Sequence, residues 1–293
     1  MLGIVTVLYK SDGVIEGFLK SVAAQTFKQY KIYLVDNSVN DKSSELINSL
    51  LVKYRIGNFV HFKSEENVGI AEGNNIGMKM ALADGCSQIC LSNNDIVFDN
   101  SNLFELLMRE AEALSPSVLA PKIYMEDAQT LWYAGGRFLF FRGSVWHDGY
   151  NKKDMGKFDQ RREVMFAPAC FVFVPRVVVE KVGFMDEKYF VYADDADYML
   201  RVIRSGFKIV YLPELTICHK VSSSTGGVFS EFGLYYNTRN RVYWVRKFFK
   251  GFSKYIPLMY ILVQMIYHSI RLNKRGSMRI ILKGYKDGFS MQK

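Results

Sequence analysis

The sequence predicts an α/β fold in which a mostly parallel, Rossmann-like central sheet is flanked by helices. Short apolar runs alternate with stretches whose apolar residues recur at helical spacing, which is the pattern of strand–helix–strand units. Several runs are continuously apolar, as expected of parallel strands that helices cover on both faces. The chain has 293 residues, of which 49% are hydrophobic and 15% aromatic, so it can form a large core and is not disordered.

The order of these segments predicts the secondary structure. We expect strands at residues 4–9, 32–35, 59–62, 89–91 and 209–213. Helices are expected between the strands, the first of them capped by Ser11 or Asp12, and a later one covering residues 74–83. Residues 121–166 are irregular and aromatic, which predicts a small region of β-ribbons. Exposed rings there, such as Trp132, can stack on sugar faces, and packing in the core is the alternative.

The positive charge of the chain is concentrated in its C-terminal tail. The formal net charge is +9, and residues 238–293 hold 13 of the 38 Lys and Arg but only one of the 29 acidic residues, Asp287. The remaining 237 residues therefore carry 25 basic and 28 acidic side chains, a net charge of −3. Since the body lacks the basic surface that nucleic acids require, we expect no nucleic-acid partner.

The cysteines and the N-terminus indicate the cellular compartment. Cys86, Cys90, Cys170 and Cys218 show neither metal-ligand spacing nor the density of a disulfide scaffold, so we expect buried, reduced thiols. The first residues enter a strand without a preceding basic region, so we expect no signal peptide. These features predict a cytoplasmic protein.

The central apolar run stops on the polar residues Ser92, Asn93, Asn94 and Asp95. In an α/β sheet, ligands bind at the carboxyl ends of the strands, which is where Asp95 would emerge. A carboxylate at that place suits a Mg²⁺ or Mn²⁺ ion that also holds substrate phosphates. The alternative is an Asx-type turn that closes the strand.

Small residues, including Gly69, Gly73 and Gly77, recur at alternate positions of the segment 67–77. They permit close approach of the backbone, either for tight helix–sheet packing or for a helix N-terminus that faces a nucleotide. The fingerprint G-x-G-x-x-G is missing after the first strand, and the P-loop pattern is missing from the sequence. A dinucleotide-binding dehydrogenase is therefore excluded.

Three carboxylates, Asp194, Asp195 and Asp197, occupy four consecutive positions. Their mutual repulsion requires a cation or a proton to offset it, and one of them could be a general base. The alternative is a helix N-terminus, which acidic side chains stabilise. His219 precedes a hydroxyl-rich loop at 222–227, which favours contact with a metal or a phosphate over the alternative of a satisfied core histidine.

Five motifs together resemble one enzyme family. They are the strand end at 35–38, the small-residue segment at 67–77, the cluster at 93–95, the acidic cluster at 194–197, and His219 with its serines. With these motifs in this order, the chain resembles the inverting nucleotide-sugar glycosyltransferases of family 2, which have the GT-A fold. The resemblance runs from residue 4 to about residue 246. More loosely, the chain resembles the bacterial rhamnosyltransferases of that family.

The resemblance implies roles for individual residues. Asp36 would contact the nucleobase, and Asn93 would lie near the ribose. Asp95 and His219 would bind the metal, and Asp195 would be the catalytic base. The other donor-binding candidates are Thr6, Tyr9, Asn67, Gly69, Gly73, Asn75, Asn94, Lys220 and Ser224, and the acceptor-side candidates are Trp132, Asp194 and Asp197.

The chain departs from the family pattern at several positions. Asn93 stands at the first D-x-D position and adds no negative charge near the metal. Asp194 replaces the usual Glu, which shortens its reach. Lys10 stands where the family often has Asn, and residues 167–170 replace a more usual Gly-Ala segment. The rim of the base pocket and the acceptor contacts are therefore expected to differ from those of the family.

The resemblance implies a metal-dependent inverting glycosyltransferase that uses Mn²⁺ or Mg²⁺. Its donor would be a dTDP- or UDP-sugar, most narrowly dTDP-rhamnose, and its acceptor a glycan or polyprenyl-linked saccharide in cell-surface polysaccharide synthesis. The catalytic domain would cover residues 1–237, with a nucleotide-binding part at about 1–120 and an acceptor-binding part at about 121–237. The alternatives are a sugar-phosphate nucleotidyltransferase, whose usual glycine-rich basic loop after strand one is missing, and a catalytically silent carbohydrate-binding or scaffold protein.

The tail at 238–293 is predicted to be helical, basic and amphipathic. Residues 255–270 hold no formal charge with His268 neutral, but this stretch is shorter than the roughly 20 apolar residues that span a bilayer. The last helix places Ile281 and Tyr285 on one side and Arg279 and Lys283 on the other. It is therefore expected to lie on the inner face of the cell membrane. Packing on the catalytic domain, or an interface in a homo-oligomer, is the alternative.

Overall fold

The computed structural model describes residues 1–38, 41–220, 227, 230–271 and 276–292. The strands are β1 (Leu2–Leu8), β2 (Tyr30–Asp36), β3 (Phe59–Lys63), β4 (Gln88–Ser92), β5 (Ile96–Val97), β6 (Val118–Met125), β7 (Thr130–Tyr133), β8 (Gly136–Leu139), β9 (Ser144–His147), β10 (Lys152–Lys153), β11 (Arg162–Val164), β12 (Phe171–Pro175) and β13 (Ile209–His219). The helices are α1 (Ile15–Ala23), α2 (Asp41–Lys53), α3 (Gly69–Ala83), α4 (Leu103–Ala113), α5 (Arg176–Val182), α6 (Asp194–Arg204), α7 (Glu231–Phe248), α8 (Tyr255–Arg271) and α9 (Ser277–Ser290). Short 3₁₀ helices cover Phe140–Arg142 and Gly251–Lys254.

One large sheet organises the described residues. Its main path runs β10-β7-β6-β12-β4-β1-β2-β3, and β13 pairs with β6, β5 and β11. The strands β3, β2, β1 and β4 are parallel, as predicted, with helices as crossovers between them. From β12 onward the sheet mixes both directions: β12 runs antiparallel to β4 and β6, β13 runs parallel to β6, and β7 follows β6 as an antiparallel hairpin. The predicted α/β class with a helix-flanked central sheet is confirmed.

Two glycines of the small-residue segment have a packing role. A Cβ added to Gly77 would lie 2.3 Å from Cγ1 of Val5, and one added to Gly73 would lie 2.8 Å from Cγ2 of Val7. Helix α3 therefore lies so close to strand β1 that only glycine fits at these two positions without a shift of the neighbouring atoms. Gly69 has a φ of +83°, and a Cβ there would lie 2.4 Å from the carbonyl oxygen of Phe190. The packing alternative thus explains Gly73 and Gly77.

The beginnings of two helices differ from the prediction. Helix α3 begins at Gly69, five residues before the expected start, because the small residues themselves form its first turn. Helix α1 is preceded by Val14 and has no side-chain cap. The hydroxyl of Ser11 instead accepts a hydrogen bond of 2.6 Å from the side-chain amide of Asn94. The expected cap is therefore wrong, since Ser11 joins the loops that follow β1 and β4.

The C-terminal helices pack onto the preceding part of the chain as well as onto each other. The predicted domain boundary between residues 237 and 238 falls inside α7, whose residues Thr238 and Asn240 are fully buried. Helix α9 approaches α7 so closely that a Cβ on Gly288 would lie 2.4 Å from the carbonyl oxygen of Arg239. Ile281 of α9 is buried in this contact region. For α9, the alternative of packing therefore holds along much of its apolar side.

Helix α8 carries the largest exposed apolar face of the tail. Its exposed apolar residues lie at helical spacing and, with Phe252 just before the helix, each is more than half exposed: Phe252, Tyr255, Ile256, Met259, Val263, Tyr267 and Ile270. In the described part of the chain, no helix is both long enough and apolar enough to cross a membrane.

Candidate functional site

A cavity of about 1120 Å³ opens at the carboxyl ends of β1, β2 and β4. This is the edge of an α/β sheet at which ligands bind. Ten residues proposed from the sequence line it: Tyr9, Asn67, Gly69, Asn93, Asn94, Asp95, Trp132, Asp194, Asp195 and His219. The three residues that carry the expected chemistry, Asp95, Asp195 and His219, thus share one cavity.

Strand pairing brings Asp95 and His219 together. The two-residue strand β5 begins directly after Asp95 and pairs with the end of β13, so that Ile96 lies opposite His219. The backbone N–H of Lys220 donates to the carbonyl oxygen of Asp95 at 3.0 Å, which continues the pairing. As a result, Nε2 of His219 lies 3.1 Å from Oδ1 of Asp95. Asp95 is 5% exposed and His219 6%, so the pair is held at the floor of the cavity.

This pair fits a divalent cation that a substrate helps to bind. Two ligand atoms about 2.1 Å from a hard cation, at right angles to each other, lie roughly 3.0 Å apart, close to the observed separation. Among the described residues there is no group of three or more His, Cys, Asp or Glu side chains placed to hold a metal ion. Two protein ligands are nevertheless sufficient where phosphates and water complete the shell, which is how Mg²⁺ is commonly held.

The turn between β4 and β5 is fixed from two sides. The side-chain amide of Asn94 donates to the hydroxyl of Ser11 and, at 3.3 Å, to the carbonyl oxygen of Val7, both near the end of β1. The backbone N–H of Asn93 donates to the carbonyl oxygen of Cys170 at 2.8 Å. Asn94 therefore ties the loops that follow β1 and β4, and the turn presents Asn93 and Asp95 to the cavity.

The acidic cluster begins helix α6 after a strained backbone. Tyr192 and Ala193 both have left-handed conformations, with φ of 66° and 65°, which is uncommon for residues other than glycine. The side-chain amide of Asn240, on α7, donates to the carbonyl oxygens of Val191 and Tyr192 at 2.6 and 3.0 Å. Helix α7 thus holds the loop that places Asp194 and Asp195 in the cavity wall.

Burial changes the protonation of both carboxylates in this wall. It raises the pKa of Asp195, and hydrogen bonds from the backbone N–H groups of Ala196 and Ala169 lower it in part. Burial, followed by the negative charge of Asp195, raises the pKa of Asp194. Of the pair, Asp195 is the more exposed, whereas Asp194 is almost fully buried. A group in this environment can take up a proton near neutral pH, which an ordinary carboxylate does not do.

Asp197 occupies a different environment, and the expectation that it faces an acceptor is corrected. Its carboxylate accepts from Nε of Arg201 at 2.7 Å, from Nζ of Lys247 at 2.6 Å and from the hydroxyl of Tyr189 at 3.1 Å. It is fully buried and does not line the cavity. The physical reason is helical rotation, which turns Asp197 by about 200° from Asp195.

Several donor-binding candidates lie beneath or beside the cavity rather than in its lining. These are Thr6, Asp36, Gly73, Asn75 and Lys220, whereas Ser224 lies outside the described residues.

Their contacts explain these positions. The carboxylate of Asp36 is fully buried and accepts from the backbone N–H of Ser38 at 2.9 Å. The side chain of Asn75 bonds both the N–H and the carbonyl oxygen of Met185, each at 2.9 Å. The side chain of Lys220 extends toward Gly17 of α1.

The cavity also has lining residues that the motifs did not indicate. They come from the 3₁₀ helix before β9, the loop before α6, and helices α7 and α8: Arg142, Phe190, Tyr192, Phe232, Tyr236, Arg241, Trp244 and Gln264. In the sequence, residues 238–246 belong both to the end of the family resemblance and to the predicted basic tail. The structure instead makes this segment a wall of the cavity.

Comparisons with known proteins identify the family. The family model described as "Glycosyl transferase family 2" matches residues 3–183. A curated relative from Mycobacterium tuberculosis, N-acetylglucosaminyl-diphospho-decaprenol L-rhamnosyltransferase, is 22% identical over 244 residues, which cover 77% of this chain and 78% of the relative.

Two solved structures share the fold. S. aureus TarS 1–349 in complex with UDP superposes with a TM-score of 0.63 and 14% identity over 98% of this chain and 79% of TarS 1–349. Mannosyltransferase PcManGT from Pyrobaculum calidifontis, with GDP-Man and Mn²⁺, superposes with a TM-score of 0.59 and 10% identity over 100% of this chain and 76% of that protein. The GT-A fold implied by the sequence resemblance is confirmed, and the chain belongs to glycosyl transferase family 2.

Proposed function

We propose that this glycosyltransferase moves a sugar from a nucleoside-diphosphate donor to an acceptor hydroxyl with inversion at the anomeric carbon. The observation that carries the proposal is the common cavity of Asp95, His219 and Asp195. The first two form a close pair suited to a cation, and the third is a carboxylate whose pKa is raised by burial. A donor diphosphate at the pair and an acceptor at Asp195 would meet in one site.

Asp95 and His219 would hold the divalent cation, Mn²⁺ or Mg²⁺. When bound, the cation neutralises charge on the departing diphosphate. The ring of Trp132 lies edge-on against the imidazole of His219, with centroids 4.7 Å apart, and so fixes its orientation. Asn93, which lines the same wall, would donate to the donor ribose.

Asp195 would act as the general base. Ionised, it accepts the proton of the acceptor hydroxyl while the oxygen attacks the anomeric carbon from the face opposite the diphosphate. One displacement of this kind inverts the anomeric configuration. Burial and the negative charge of Asp195 raise the pKa of its neighbour Asp194, so the two carboxyl groups do not titrate independently. The Asn240 hydrogen bonds would keep the strained loop, and hence the base, in position.

The donor and acceptor are proposed from the relatives. The curated relative is a rhamnosyltransferase, and its name gives N-acetylglucosaminyl-diphospho-decaprenol as the molecule it acts on. Together with the motif resemblance, this supports L-rhamnose from dTDP-rhamnose as donor and a lipid-linked saccharide as acceptor. The protein would then contribute to the synthesis of a cell-surface polysaccharide.

A nucleotide panel tests the proposal. Thermal unfolding would be followed with dTDP, UDP and GDP, each with and without Mn²⁺. A ligand present at 100 times its Kd stabilises the folded state by about 2.7 kcal/mol. We expect dTDP or UDP to stabilise the protein, and Mn²⁺ to increase the effect. Release of rhamnose from dTDP-rhamnose, and its transfer to a lipid-linked saccharide, would then be measured. If none of the three nucleotides stabilises the protein, the proposal is wrong.

We also propose that the exposed face of α8 contacts an anionic membrane surface at the cytoplasmic side. The face is apolar, and basic residues lie at both ends of the helix, at Lys250, Lys254 and Arg271. Such a combination binds anionic lipid headgroups while its apolar side chains enter the interface. The sequence predicts that the last helix, α9, lies on the membrane. We now propose that α8 does so instead.

Liposome flotation tests this surface. The double variant Ile256→Ser, Val263→Ser is expected to lose flotation with anionic liposomes that the wild-type protein shows. Val52→Ser is the control, because Val52 is 80% exposed on α2, outside the tail. The alternative is that a second copy of the chain binds this face. Light scattering of the same proteins tests it by measuring their oligomeric state. A dimer that becomes monomeric in the double variant, with flotation unchanged, would contradict the membrane proposal.

A further inference from the structure

Four further residues with polar groups line the cavity, and we call them the arginine cluster: Arg142, Arg241, Trp244 and Gln264. They come from the 3₁₀ helix Phe140–Arg142 and from α7 and α8, and they share no element with Asp95, Asp195 or His219. Within the described residues, no ion pair or hydrogen bond links the two sets. The arginine cluster has no role in the proposed chemistry of the carboxylates.

Arg142 is held in place by stacking rather than by hydrogen bonds. Its guanidinium lies over the rings of Phe141 and Tyr260, at 5.1 and 5.5 Å from their centroids. Its Nε is buried and has no hydrogen-bond partner among the described residues. No carboxylate in the described part of the chain forms an ion pair with it. Its terminal nitrogens are therefore available to a ligand in the cavity.

Arg241 adds a second positive charge. Its Nε donates to the carbonyl oxygen of Gly143 at 3.1 Å, and its Nη2 donates to that of Arg142 at 2.7 Å. These bonds fix the orientation of the guanidinium, but both acceptors are uncharged backbone carbonyl oxygens. Burial lowers the pKa of Arg241 to about 10, so it remains charged at neutral pH. A half-buried cation that lacks an anion is costly, and a bound anion would reduce that cost.

Two neutral groups in the lining of the same cavity are also left without partners. The indole Nε1 of Trp244 and the side-chain oxygen of Gln264 are buried, and no described residue bonds them. Trp244 is only 2% exposed, and both residues line the cavity. Buried polar groups in native proteins have a partner in the great majority of cases, so each of these needs an explanation. A ligand that accepts from the indole and donates to the amide oxygen would supply it.

We infer that the arginine cluster is a subsite for a phosphate or diphosphate group that is part of the acceptor, placed beside the acceptor sugar. Two guanidinium groups match the oxygens of a phosphate or diphosphate better than they match one carboxylate. The indole adds a third N–H donor, and Gln264 accepts from a sugar hydroxyl.

The position of the subsite fits an acceptor that is attached to a lipid. Gln264 is on α8, the helix that also carries the exposed apolar face. A lipid chain leaving the phosphate would therefore meet this apolar surface within the width of one helix. This part of the inference rests on the proposed function, in which the acceptor is a lipid-linked saccharide.

A matched pair of acceptors tests the subsite by kinetics. One is a saccharide joined to a short alkyl chain through a diphosphate, and the other is the same saccharide as a neutral alkyl glycoside. For the wild-type protein we expect a kcat/KM that is higher for the diphosphate acceptor by about 10- to 100-fold, as charge-assisted hydrogen bonds provide. Arg142→Gln is expected to abolish most of this preference. Arg279→Gln, which removes an exposed charge from α9, should retain it.

A binding arm separates this inference from the proposed function. Isothermal titration would measure a sugar-free alkyl diphosphate, an alkyl carboxylate and inorganic diphosphate against the full chain. We expect the alkyl diphosphate to bind, the carboxylate to bind at least tenfold more weakly, and Arg142→Gln and Arg241→Lys to weaken the diphosphate. Tighter binding of inorganic diphosphate than of the alkyl form would contradict a lipid-linked source.

The remaining outcomes are also distinguishable. If no sugar is transferred but Arg142→Gln still weakens the alkyl diphosphate, the subsite stands and the proposed function fails. If Arg142→Gln leaves the alkyl diphosphate unchanged, the inference is overturned. It is overturned as well if the same variant weakens a nucleoside diphosphate with Mn²⁺ by the same factor, because the arginines would then serve the donor.

Discussion

The cavity has two polar clusters that are built in different ways. Asp95, His219 and Asp195 stand at a strand end or a helix beginning, each next to a recognisable motif. Arg142 and Arg241 are about a hundred residues apart in sequence and meet only because α7 and α8 pack beside the 3₁₀ helix. The first cluster is organised by local geometry that a sequence displays, and the second by tertiary packing that it does not. Their proposed tasks differ accordingly, since the first performs chemistry and the second selects an acceptor.

The largest expected effect belongs to the base. Asp195→Asn removes the proton acceptor and keeps the shape, and positioned bases typically contribute 10²–10⁴-fold in rate. We expect kcat to fall by about that factor with either acceptor, because the carboxylate acts after both have bound. Nucleotide binding should persist, as measured by thermal shift. Asp12→Asn is the matched control, since Asp12 is exposed and outside the cavity. Near-normal turnover by Asp195→Asn would make the assignment wrong.

Asp197→Ala tests the layer beneath the base. It leaves Arg201 and Lys247 without their shared carboxylate, and removing one member of a buried ion pair costs about 3–5 kcal/mol. We expect a correspondingly lower free energy of unfolding in urea, together with a kcat that is closer to wild type than that of Asp195→Asn. If Asp197→Ala kept the wild-type free energy of unfolding but lost turnover, Asp197 would have to face the substrate.

Gly77→Ala tests the packing under the sheet edge. A methyl group would be placed 2.3 Å from Val5, and overpacking of this kind costs typically about 1–3 kcal/mol. We expect that loss in the free energy of unfolding, with a smaller effect from Gly57→Ala, since nothing lies within 4 Å of a Cβ at Gly57. Equal losses in the two variants would show that helix propensity or loop strain, rather than contact with β1, decides the effect.

The pH profile provides the finest test. Burial raises the pKa of Asp195, and a base is active only when it is ionised. Activity is therefore present above this raised pKa and is lost as the pH falls through it, about tenfold per pH unit. The measurement is kcat/KM for the neutral acceptor, so that no acceptor phosphate titrates in the same range. An acid limb that lies at the pKa of an ordinary, exposed carboxyl would contradict the assignment.

The fold was largely predictable because strand and helix periodicities are local. The same holds for Asp95, which follows an apolar run, although its contact with His219 depends on the pairing of β5 with β13, about 120 residues apart. Asp197 was misjudged because spacing alone does not show which side of a helix faces the cavity. The roles of Gly73 and Gly77 stayed open in the sequence, since close packing and ligand contact both require small residues. Nothing in the sequence indicated that Arg142 lines the cavity, because its position depends on the packing of three segments that are distant in sequence.

The most direct test of the central claim is a calorimetric titration of the nucleoside diphosphate that gives the largest thermal shift, with and without Mn²⁺. We expect tight binding only when Mn²⁺ is present, a large loss of affinity in Asp95→Ala and His219→Ala, and retained affinity in Asp195→Asn. Binding that is independent of Mn²⁺, or that survives in both Asp95→Ala and His219→Ala, would contradict the account.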